Sequence, residues 1–443
     1  MPSRVPSATA LAAALVAGMV GTLAVDIGAP RANAAPAYGY TGPSTPETPD
    51  IPAVSALMTS AIAARHLPGA VVMIGHRGQP ALLRAYGVRK PAGEPGVDGV
   101  ATPAEPMTTD TVFDVASLTK VLATATAVMQ LHEQGRVRLD DPVQTYLPAF
   151  NPAHDPHRTA VTVRTLLTHT SGLPGDVNLD DPWGLVRADR SEGMRRALTA
   201  PLEMPPGTVF RYSDINFELL GALIEAVTGE PENVYVRQNI FAPLGMTDTR
   251  YLPSAGPVAR NRALLSRIAP TRLDTEGRPW TNPHFGTVMR GVVDDPTSRR
   301  MGGVAGHAGV FSTAADIGLF AQALLDRLAG RPSAFPLRRE TLQTMTAPNR
   351  PSVPGPVHAV RGLGWDIDTG YSGSRGSLFP VGSFGHTGFT GTSLWIDPAS
   401  DTYVVVLSNA VHTPGSPPIA RLAGAVATAA ARAMGIGPPP AGL

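Results

Sequence analysis

The sequence predicts an α+β protein in which one antiparallel β-sheet is flanked by helices and interrupted by a mostly α-helical insertion. Strand patterns lie near both ends of the chain, helical periodicity dominates its middle, and 43% of the 443 residues are hydrophobic. A chain of this length can bury a large core and form two or more subdomains. We expect a sheet domain over residues 51–116 and 313–436, and a helical domain over residues 117–312.

The first predicted elements are a helix and two strands. Residues 53–65 have helical periodicity, and "GAVVMIG" and "ALLRAYG" read as strands around the turn "HRGQP". Residues 89–107 form a loop rich in glycine and proline. A helix is then predicted from Ser117 to His132, which places Ser117 and Lys120 one turn apart on the same face.

The middle of the chain is predicted to be mostly helical, and the C-terminal part is predicted to contain strands. Helices are predicted within "TVRTLLTHTSG", "SEGMRRALTA" and "NFELLGALIEAVTG", and Thr313 with Asp316 forms a capping pattern before the next helix. The segments "GLGWDID", "GTSLWID" and "TYVVVLSNA" predict strands, and residues 419–434 predict a final helix rich in alanine. Two early strands and at least three late ones therefore predict a single sheet drawn from both ends of the chain.

The N-terminus predicts export. Arg4 precedes an apolar run over residues 10–25, and "ANA" at residues 32–34 matches a cleavage site. The run of 16 residues is short for a membrane span, so a cleaved signal peptide over residues 1–34 is favoured over a retained anchor. A periplasmic, cell-wall or extracellular location follows. The segments predicted to be loose are a leader over residues 35–50 and a tail over residues 437–443.

The composition excludes several classes of function. A formal net charge of +1 gives no indication of nucleic acid or an acidic membrane surface as partner. The absence of cysteine excludes cysteine nucleophiles, disulfides and Cys-ligated zinc. Beyond the signal segment no stretch reads as transmembrane, and the oligomeric state stays open.

The stretch "FDVASLTKVLAT" contains Lys120, one of two lysines in a chain that carries 36 basic residues. Arginine is effectively always protonated, whereas lysine can lose its proton and serve as a base. An ordinary exposed position in this chain would usually be arginine, so a functional role for Lys120 is favoured. The Ser-x-x-Lys pattern is weak by itself and needs independent support.

Ser117 has two interpretations, as a helix cap and as a nucleophile. Lys120 lies one turn away and can act as the base, and the backbone N–H of Ser117 at the helix start can supply one oxyanion donor. The nucleophile elbow G-x-S-x-G is absent from the sequence, which argues against an α/β-hydrolase.

Two further stretches support the nucleophile interpretation. Tyr212 precedes a predicted helix and alone reads as a packed aromatic residue with a tethered hydroxyl. Gly388 lies on a predicted strand, where glycine often marks close approach by a ligand. Together, "SLTK" at 117–120, "YSD" at 212–214 and "HTG" at 386–388 resemble the three motifs of serine β-lactamases and penicillin-binding proteins.

The similarity is strongest to the group of class C β-lactamases and D-alanyl-D-alanine carboxypeptidases, which also contains esterases. The segments "LLTHTSGLP", "LDDPVQTYLP", "PLGMTDT" and "GGVAGHAGVFSTAADI" extend it over roughly residues 51–410. The resemblance implies the β-lactamase/transpeptidase fold, and a site that needs no metal and no cofactor.

The resemblance also implies a role for each motif. Ser117 would be acylated by the substrate carbonyl, and Lys120 and Tyr212 would share its proton and later activate water or another acceptor. Thr387 and Gly388 would lie along the substrate. The backbone N–H of Phe389 would be the second oxyanion donor.

Two positions depart from the usual lactamase pattern. Asp214 stands where the family commonly has asparagine, and His386 stands where it commonly has lysine. An aspartate near a substrate carboxylate is expected to repel it, so both changes weigh against β-lactamase activity more than against serine chemistry. Two further candidates are Asn216, as a compensating amide, and His307, in a glycine-rich loop that would border the site.

The predicted function is that of an exported serine hydrolase acting on a small molecule or a peptidoglycan peptide through an acyl-enzyme at Ser117. A D-alanyl-D-alanine carboxypeptidase-like activity ranks first, an esterase second and a β-lactamase third. A catalytically idle, penicillin-recognising scaffold is the alternative from another class. Intact Ser117, Lys120 and Tyr212 argue against it.

Overall fold

The computed structural model describes residues 50–254, 261–353 and 359–437 of the chain. The predicted signal peptide, the leader up to residue 49 and the tail from residue 438 lie outside the described residues. The described residues belong to one compact unit. No helix within them combines the length and the apolar character that a membrane crossing requires.

The strands form one large and one small antiparallel sheet within the described part of the chain. In the large sheet the order is β3-β2-β1-β11-β10-β9-β8-β7, and in the small sheet it is β4-β6-β5. The strands are β1 Gly69–His76, β2 Gln79–Lys90, β3 Glu105–Pro106, β4 Phe113–Asp114, β5 Arg250–Tyr251, β6 Val310–Ser312, β7 Val360–Arg361, β8 Asp366–Asp368, β9 Phe384–Gly388, β10 Thr392–Asp397 and β11 Thr402–Ser408.

The two ends of the chain meet at the centre of the large sheet. Strand β1 pairs with β11 in a register that sets Ala70 opposite Ser408 and His76 opposite Thr402. This pairing confirms the prediction of one antiparallel sheet drawn from both ends of the chain.

Both faces of the large sheet are covered. On β1, Val71 and Met73 belong to one hydrophobic cluster, whereas Val72 and Ile74 belong to another. Successive side chains on a strand point to opposite faces, so a strand buried on both faces is apolar at every position. This explains the unbroken apolar run that predicted β1 from the sequence.

Helices are the main regular elements of the chain between β4 and β7, as their periodicity predicted. The α-helices of the described residues are α1 Pro52–Ala63, α2 Thr126–Glu133, α3 Pro156–Thr159, α4 Val163–Leu167, α5 Arg190–Thr199, α6 Asp214–Thr228, α7 Glu232–Val236, α8 Arg262–Arg267, α9 Pro296–Arg300, α10 Ala314–Ala329, α11 Arg339–Thr346 and α12 Ile419–Ala433. Shorter 3₁₀ segments are Ala116–Leu118, Val143–Thr145, Pro148–Phe150, Ser372–Arg375 and Ala410–His412, and π-helical segments are Lys120–Ala125 and Arg237–Phe241.

The small sheet joins the large sheet to the helical region. Strand β4 precedes the predicted helical insertion, whereas β5 and β6 lie within residues 117–312. Strand β6 ends where Thr313 caps helix α10 by accepting a hydrogen bond from the N–H of Asp316 at 3.2 Å. The division into a sheet domain and a helical domain, with boundaries at residues 116/117 and 312/313, stays a prediction.

Candidate active site

Ser117 lies in a strained turn between strand β4 and the helix that follows. The preceding residue, Ala116, has φ +47°, a left-handed conformation that costs a non-glycine residue about 1–3 kcal/mol. Asp114 holds this conformation, because its Oδ1 accepts a hydrogen bond from the Ala116 N–H at 2.9 Å and its Oδ2 accepts one from the Asp294 N–H at 2.7 Å. The turn brings Ser117 to the start of the helix.

Lys120 lies at the first residue of the π-helical segment and is completely buried. Its Nζ donates to Ser117 Oγ at 3.0 Å and to the backbone oxygen of His307 at 3.0 Å. The same Nζ forms an ion pair with Asp214 Oδ1 at 2.6 Å. Three acceptors therefore surround the ammonium group, and one of them is the predicted nucleophile.

The ion pair determines the protonation state of Lys120. Burial lowers the pKa of Lys120, but the charge of Asp214 and the interactions with Asp214 and Tyr212 outweigh it and raise the pKa above the ordinary value for lysine. The resting site therefore holds an ammonium group. The sequence analysis placed Asp214 beside the substrate and did not anticipate this pair with Lys120.

Tyr212 closes the site on the other side of Lys120. The Lys120 Nζ lies 5.1 Å from the centre of the Tyr212 ring, and the ring of His169 stacks on Tyr212 with centroids 4.5 Å apart. Burial raises the pKa of Tyr212, while hydrogen bonds with Lys120 and Ser117 act in the opposite direction. Tyr212 is thus a neutral phenol in contact with both residues.

The third motif forms the edge of the site. Strand β9 lies against the backbone before Ser117, and a Cβ on Gly388 would come 2.4 Å from the backbone oxygen of Val115. Thr390 and Thr392 attach the end of this hairpin to the same segment by donating to the backbone oxygens of Asp114 and Val115 at 2.7 and 3.0 Å. Only glycine at position 388 permits this approach.

His386 is neutral in this structure. It is buried, and its Nδ1 lies 2.8 Å from the backbone oxygen of Thr387, so Nδ1 carries the proton. Burial lowers the pKa of His386 well below its usual value, and the charges of Arg361 and Lys120 lower it further. The position therefore supplies no cation at neutral pH.

A large cleft opens along the same edge. It has a volume of about 1520 Å³ and is lined by Thr387, Gly388 and Phe389 on one side and by Tyr371, Arg272 and Leu273 among others. The Phe389 side chain is 70% exposed, and the guanidinium of Arg272 lies 5.3 Å from the centre of its ring. Thr387 and Gly388 of strand β9, and Phe389 after it, thus border the cleft, whereas the buried His386 is not among its lining residues.

Two candidate residues point away from this space. Asn216 is completely buried, and its Oδ1 accepts from Ser171 Oγ at 2.5 Å while its Nδ2 lies 3.3 Å from His169 Nδ1. Its amide is therefore engaged in the core and does not offer the compensating contact that the sequence suggested. The side chain of His307 is also buried, and only its backbone oxygen reaches Lys120.

Two residues that support the site, Asp114 and Asp295, were not predicted from the sequence. Asp114 stabilises the turn before Ser117, and Asp295 contacts the ring of His307 at 2.7 Å. The available signals were the aspartate three residues before Ser117 and the Asp-Pro pair at 295–296, which is typical of a helix start. Among the described residues, no group of three or more His, Cys, Asp or Glu side chains is arranged to hold a metal ion.

This chain is similar to known proteins over most of its length. The family model described as Beta-lactamase matches residues 54–429. A putative D-alanyl-D-alanine carboxypeptidase of Escherichia coli K12 is 32% identical over 337 residues, which cover 72% of this chain and 74% of that protein. An N-acetylmuramyl-L-alanine amidase of Bacillus subtilis 168 is 32% identical over 364 residues, which cover 79% of each chain.

A solved structure shares the fold. It is that of EstCE1, a hydrolase with promiscuous acyltransferase activity, and it superposes with a TM-score of 0.64 at 23% identity, covering 86% of this chain and 97% of the other.

Proposed function

Because this chain belongs to the beta-lactamase family and is a serine hydrolase, we propose that it removes D-alanine from peptidoglycan peptides through an acyl-enzyme at Ser117. The observation that carries the proposal is the contact of Ser117 Oγ with Lys120 Nζ at 3.0 Å, beside the edge of strand β9. Both relatives are named for the cleavage of an amide bond, at D-alanyl-D-alanine in one and at N-acetylmuramyl-L-alanine in the other, which favours an amide substrate.

Acylation begins with the transfer of the Ser117 proton to Lys120 in its neutral form. Ser117 Oγ then bonds to the carbonyl carbon, and the backbone N–H groups of Ser117 and Phe389 stabilise the oxyanion. The Tyr212 hydroxyl delivers a proton to the leaving nitrogen as the C–N bond breaks. Water releases the acyl group through the same residues in reverse order.

The protonation of Lys120 gives this mechanism a pH dependence. Since Asp214 raises the pKa of Lys120, the neutral amine is the minor form at neutral pH. The rate of acylation should therefore increase as the pH increases towards the pKa of Lys120.

The proposal is tested by labelling and by product analysis. Purified protein is incubated with a fluorescent penicillin, the modified peptide is located by mass spectrometry, and D-alanine release is measured from a peptide ending in D-alanyl-D-alanine. We expect a stable adduct on Ser117 and release of D-alanine, with both lost in Ser117→Ala. Release of D-alanine by Ser117→Ala at the wild-type rate would overturn the proposal.

Ester hydrolysis is a second candidate, favoured by the charges of the site. Lys120 is paired with Asp214, and His386 is neutral, so these positions offer no free cation to a substrate carboxylate. A neutral acyl ester needs none. Hydrolysis of p-nitrophenyl esters by a protein that forms no penicillin adduct would favour the esterase over the carboxypeptidase. Rapid turnover of penicillin would instead indicate a β-lactamase.

Export belongs to the same proposal, because peptidoglycan peptides lie outside the cytoplasm. The apolar run and the "ANA" site at residues 32–34 support it. N-terminal sequencing of secreted protein should begin at or near Ala35. An intact N-terminus in the membrane fraction would indicate a retained anchor.

A further inference from the structure

His307 connects the predicted base to a group of buried acids. Its backbone oxygen accepts a hydrogen bond from Lys120 Nζ at 3.0 Å, and its ring Nε2 lies 2.7 Å from Asp295 Oδ1. On the other side, its Nδ1 lies 3.6 Å from Glu218 Oε1, and both groups are completely buried. One residue therefore contacts Lys120 through its backbone and the acids through its side chain.

The backbone around His307 has few side chains that could hold it in place. Residues 302–309 read "GGVAGHAG", in which His307 is the only polar side chain. Gly306 has no room for a side chain, because a Cβ there would meet the backbone oxygen of Phe217 at 2.1 Å. The backbone oxygen of Gly306 accepts a hydrogen bond from Thr124 Oγ1 at 2.6 Å. Two successive carbonyls of a glycine-rich segment thus face the helix that carries Lys120.

The charge of His307 fits this arrangement. Burial alone would lower the pKa of His307, but the carboxylate of Asp295 and other acids raise it to about 10. Burial raises the pKa of Glu218 to about 8, so Glu218 is largely protonated at neutral pH. The titratable groups that face His307 are Asp295 before helix α9, Glu218 and Asp214 on helix α6, Asp176 in the loop after helix α4, and Lys120.

We infer that His307 is a positioning residue for the reaction: its ring, held between Asp295 and Glu218, fixes the carbonyl that orients the Lys120 ammonium towards Ser117. Asp295 acts indirectly, by holding the His307 ring in place. Asp295 also caps helix α9, because its Oδ1 accepts a hydrogen bond from the Ser298 N–H at 2.7 Å. The inference rests on the proposed role of Lys120 as the proton acceptor. Within the described part of the chain, no hydrogen bond or ion pair joins the side chain of His307 or Asp295 to Ser117.

The kinetic test uses His307→Gln, with hydrolysis of p-nitrophenyl acetate as the readout. We expect kcat to fall roughly 10-fold to 100-fold, as misplacement of a reacting group does, with KM changed less than about twofold. Loss of the buried cation raises the pKa of Lys120, so the acid limb of the pH–rate profile should move to higher pH. A wild-type kcat, or a loss without any change in the pH profile, would contradict the inference.

Matched control variants distinguish a loss of Lys120 positioning from a general loss of structure. Asp295→Asn should reproduce the effect of His307→Gln in part, whereas Asp155→Asn should not. Asp155 also precedes a proline and caps a short helix, accepting from the His157 N–H at 2.9 Å. His76→Gln is the control for the histidine, since His76 contacts Thr402 at the end of strand β1. Equal losses of kcat in the control variants would overturn the inference.

A second readout does not depend on activity. A chain with two lysines, labelled with ¹³C at Cε, gives two lysine signals by NMR, assigned with Lys120→Arg. In His307→Gln at pH 7 the Lys120 signal should shift while the Lys90 signal stays in place. An unchanged Lys120 signal contradicts the inference, and so does an equal shift of both signals. Ser117→Ala with wild-type hydrolysis would contradict the proposed function instead, so the two failures are distinguishable.

Discussion

The two lysines of this chain occupy similar surroundings and differ in one feature. Lys90 and Lys120 are both completely buried. The Lys90 ammonium donates to the backbone oxygens of Pro91, Glu94 and Thr102 at 2.7, 3.1 and 3.3 Å. The Lys120 ammonium has one backbone oxygen as an acceptor, and its other two partners are Ser117 Oγ and Asp214 Oδ1.

The comparison corrects the argument made from the rarity of lysine. Lys90 has only backbone acceptors, which cannot exchange protons, yet the chain keeps lysine there. A compact ammonium with three donors fits between three carbonyls, whereas the planar guanidinium of arginine does not. Rarity therefore indicates a buried ammonium, and the side-chain acceptors of Lys120 are what indicate proton transfer.

The largest expected effect is that of Lys120→Arg. The charge remains and the removable proton does not, so we expect the protein to fold and acylation to fall to the level of Ser117→Ala. The measurement is the second-order rate of Ser117 acylation by a penicillin, with thermal unfolding as the check on folding. Acylation near the wild-type rate would show that Lys120 resembles Lys90 and is not a base.

Tyr212→Phe is expected to have the next largest effect. The variant keeps the ring that stacks on His169 and loses the hydroxyl that contacts Ser117 and Lys120. Turnover should slow roughly 10²–10⁴-fold, the usual contribution of a general acid–base group. Steady-state kinetics on a folded variant measure it, and unchanged values would leave Tyr212 with a packing role alone.

Asp214→Asn removes the charge that distinguishes the two ammonium groups. Without Asp214 the pKa of Lys120 falls, so the acid limb of the pH–rate profile should move to lower pH. At neutral pH we expect acylation to become several-fold faster, on the order of 1 kcal/mol, for a penicillin and a neutral p-nitrophenyl ester alike.

The same experiment decides between two roles for Asp214. The sequence analysis expected Asp214 to repel a substrate carboxylate, which would make only the penicillin react faster in the variant. That outcome, with a salt dependence for penicillin alone, would contradict the role through Lys120.

Lys90→Met is expected to have the smallest effect on catalysis. It leaves buried backbone oxygens without their donor, which costs roughly 1–3 kcal/mol of the free energy of unfolding. Denaturant unfolding should show this loss, while kcat stays within about twofold of wild type. A collapse of kcat at unchanged stability would mean that the Lys90 loop contributes to the reaction.

The sequence predicted much of the fold because its signals are local. Strand β1 is apolar at every position, and helix α10 begins at a capping pattern, so neighbouring residues suffice to locate both. The motif around Ser117 and Lys120 was likewise visible, since its two residues are three positions apart in the sequence.

The contacts between distant segments were not predictable. Lys120 meets Asp214 and the backbone of His307 only after the chain has folded, and periodicity carries no information about such pairs. The engaged amide of Asn216 depends in the same way on a partner far along the chain, Ser171. Asp114, which holds the left-handed Ala116, is itself fixed by the distant N–H of Asp294. Local patterns thus located the motif, and tertiary packing determined its charges.

The burial of both lysines also governs how the protein meets reagents. Amine-reactive dyes and cross-linkers, and proteases that cut after lysine, find neither side chain at the surface of the folded protein. Lys120 is the accessible target for such a protease only after the surrounding structure opens, whereas Pro91 makes the bond after Lys90 a poor substrate. The rate of cleavage after Lys120 therefore reports the local opening of the segment that carries the predicted base.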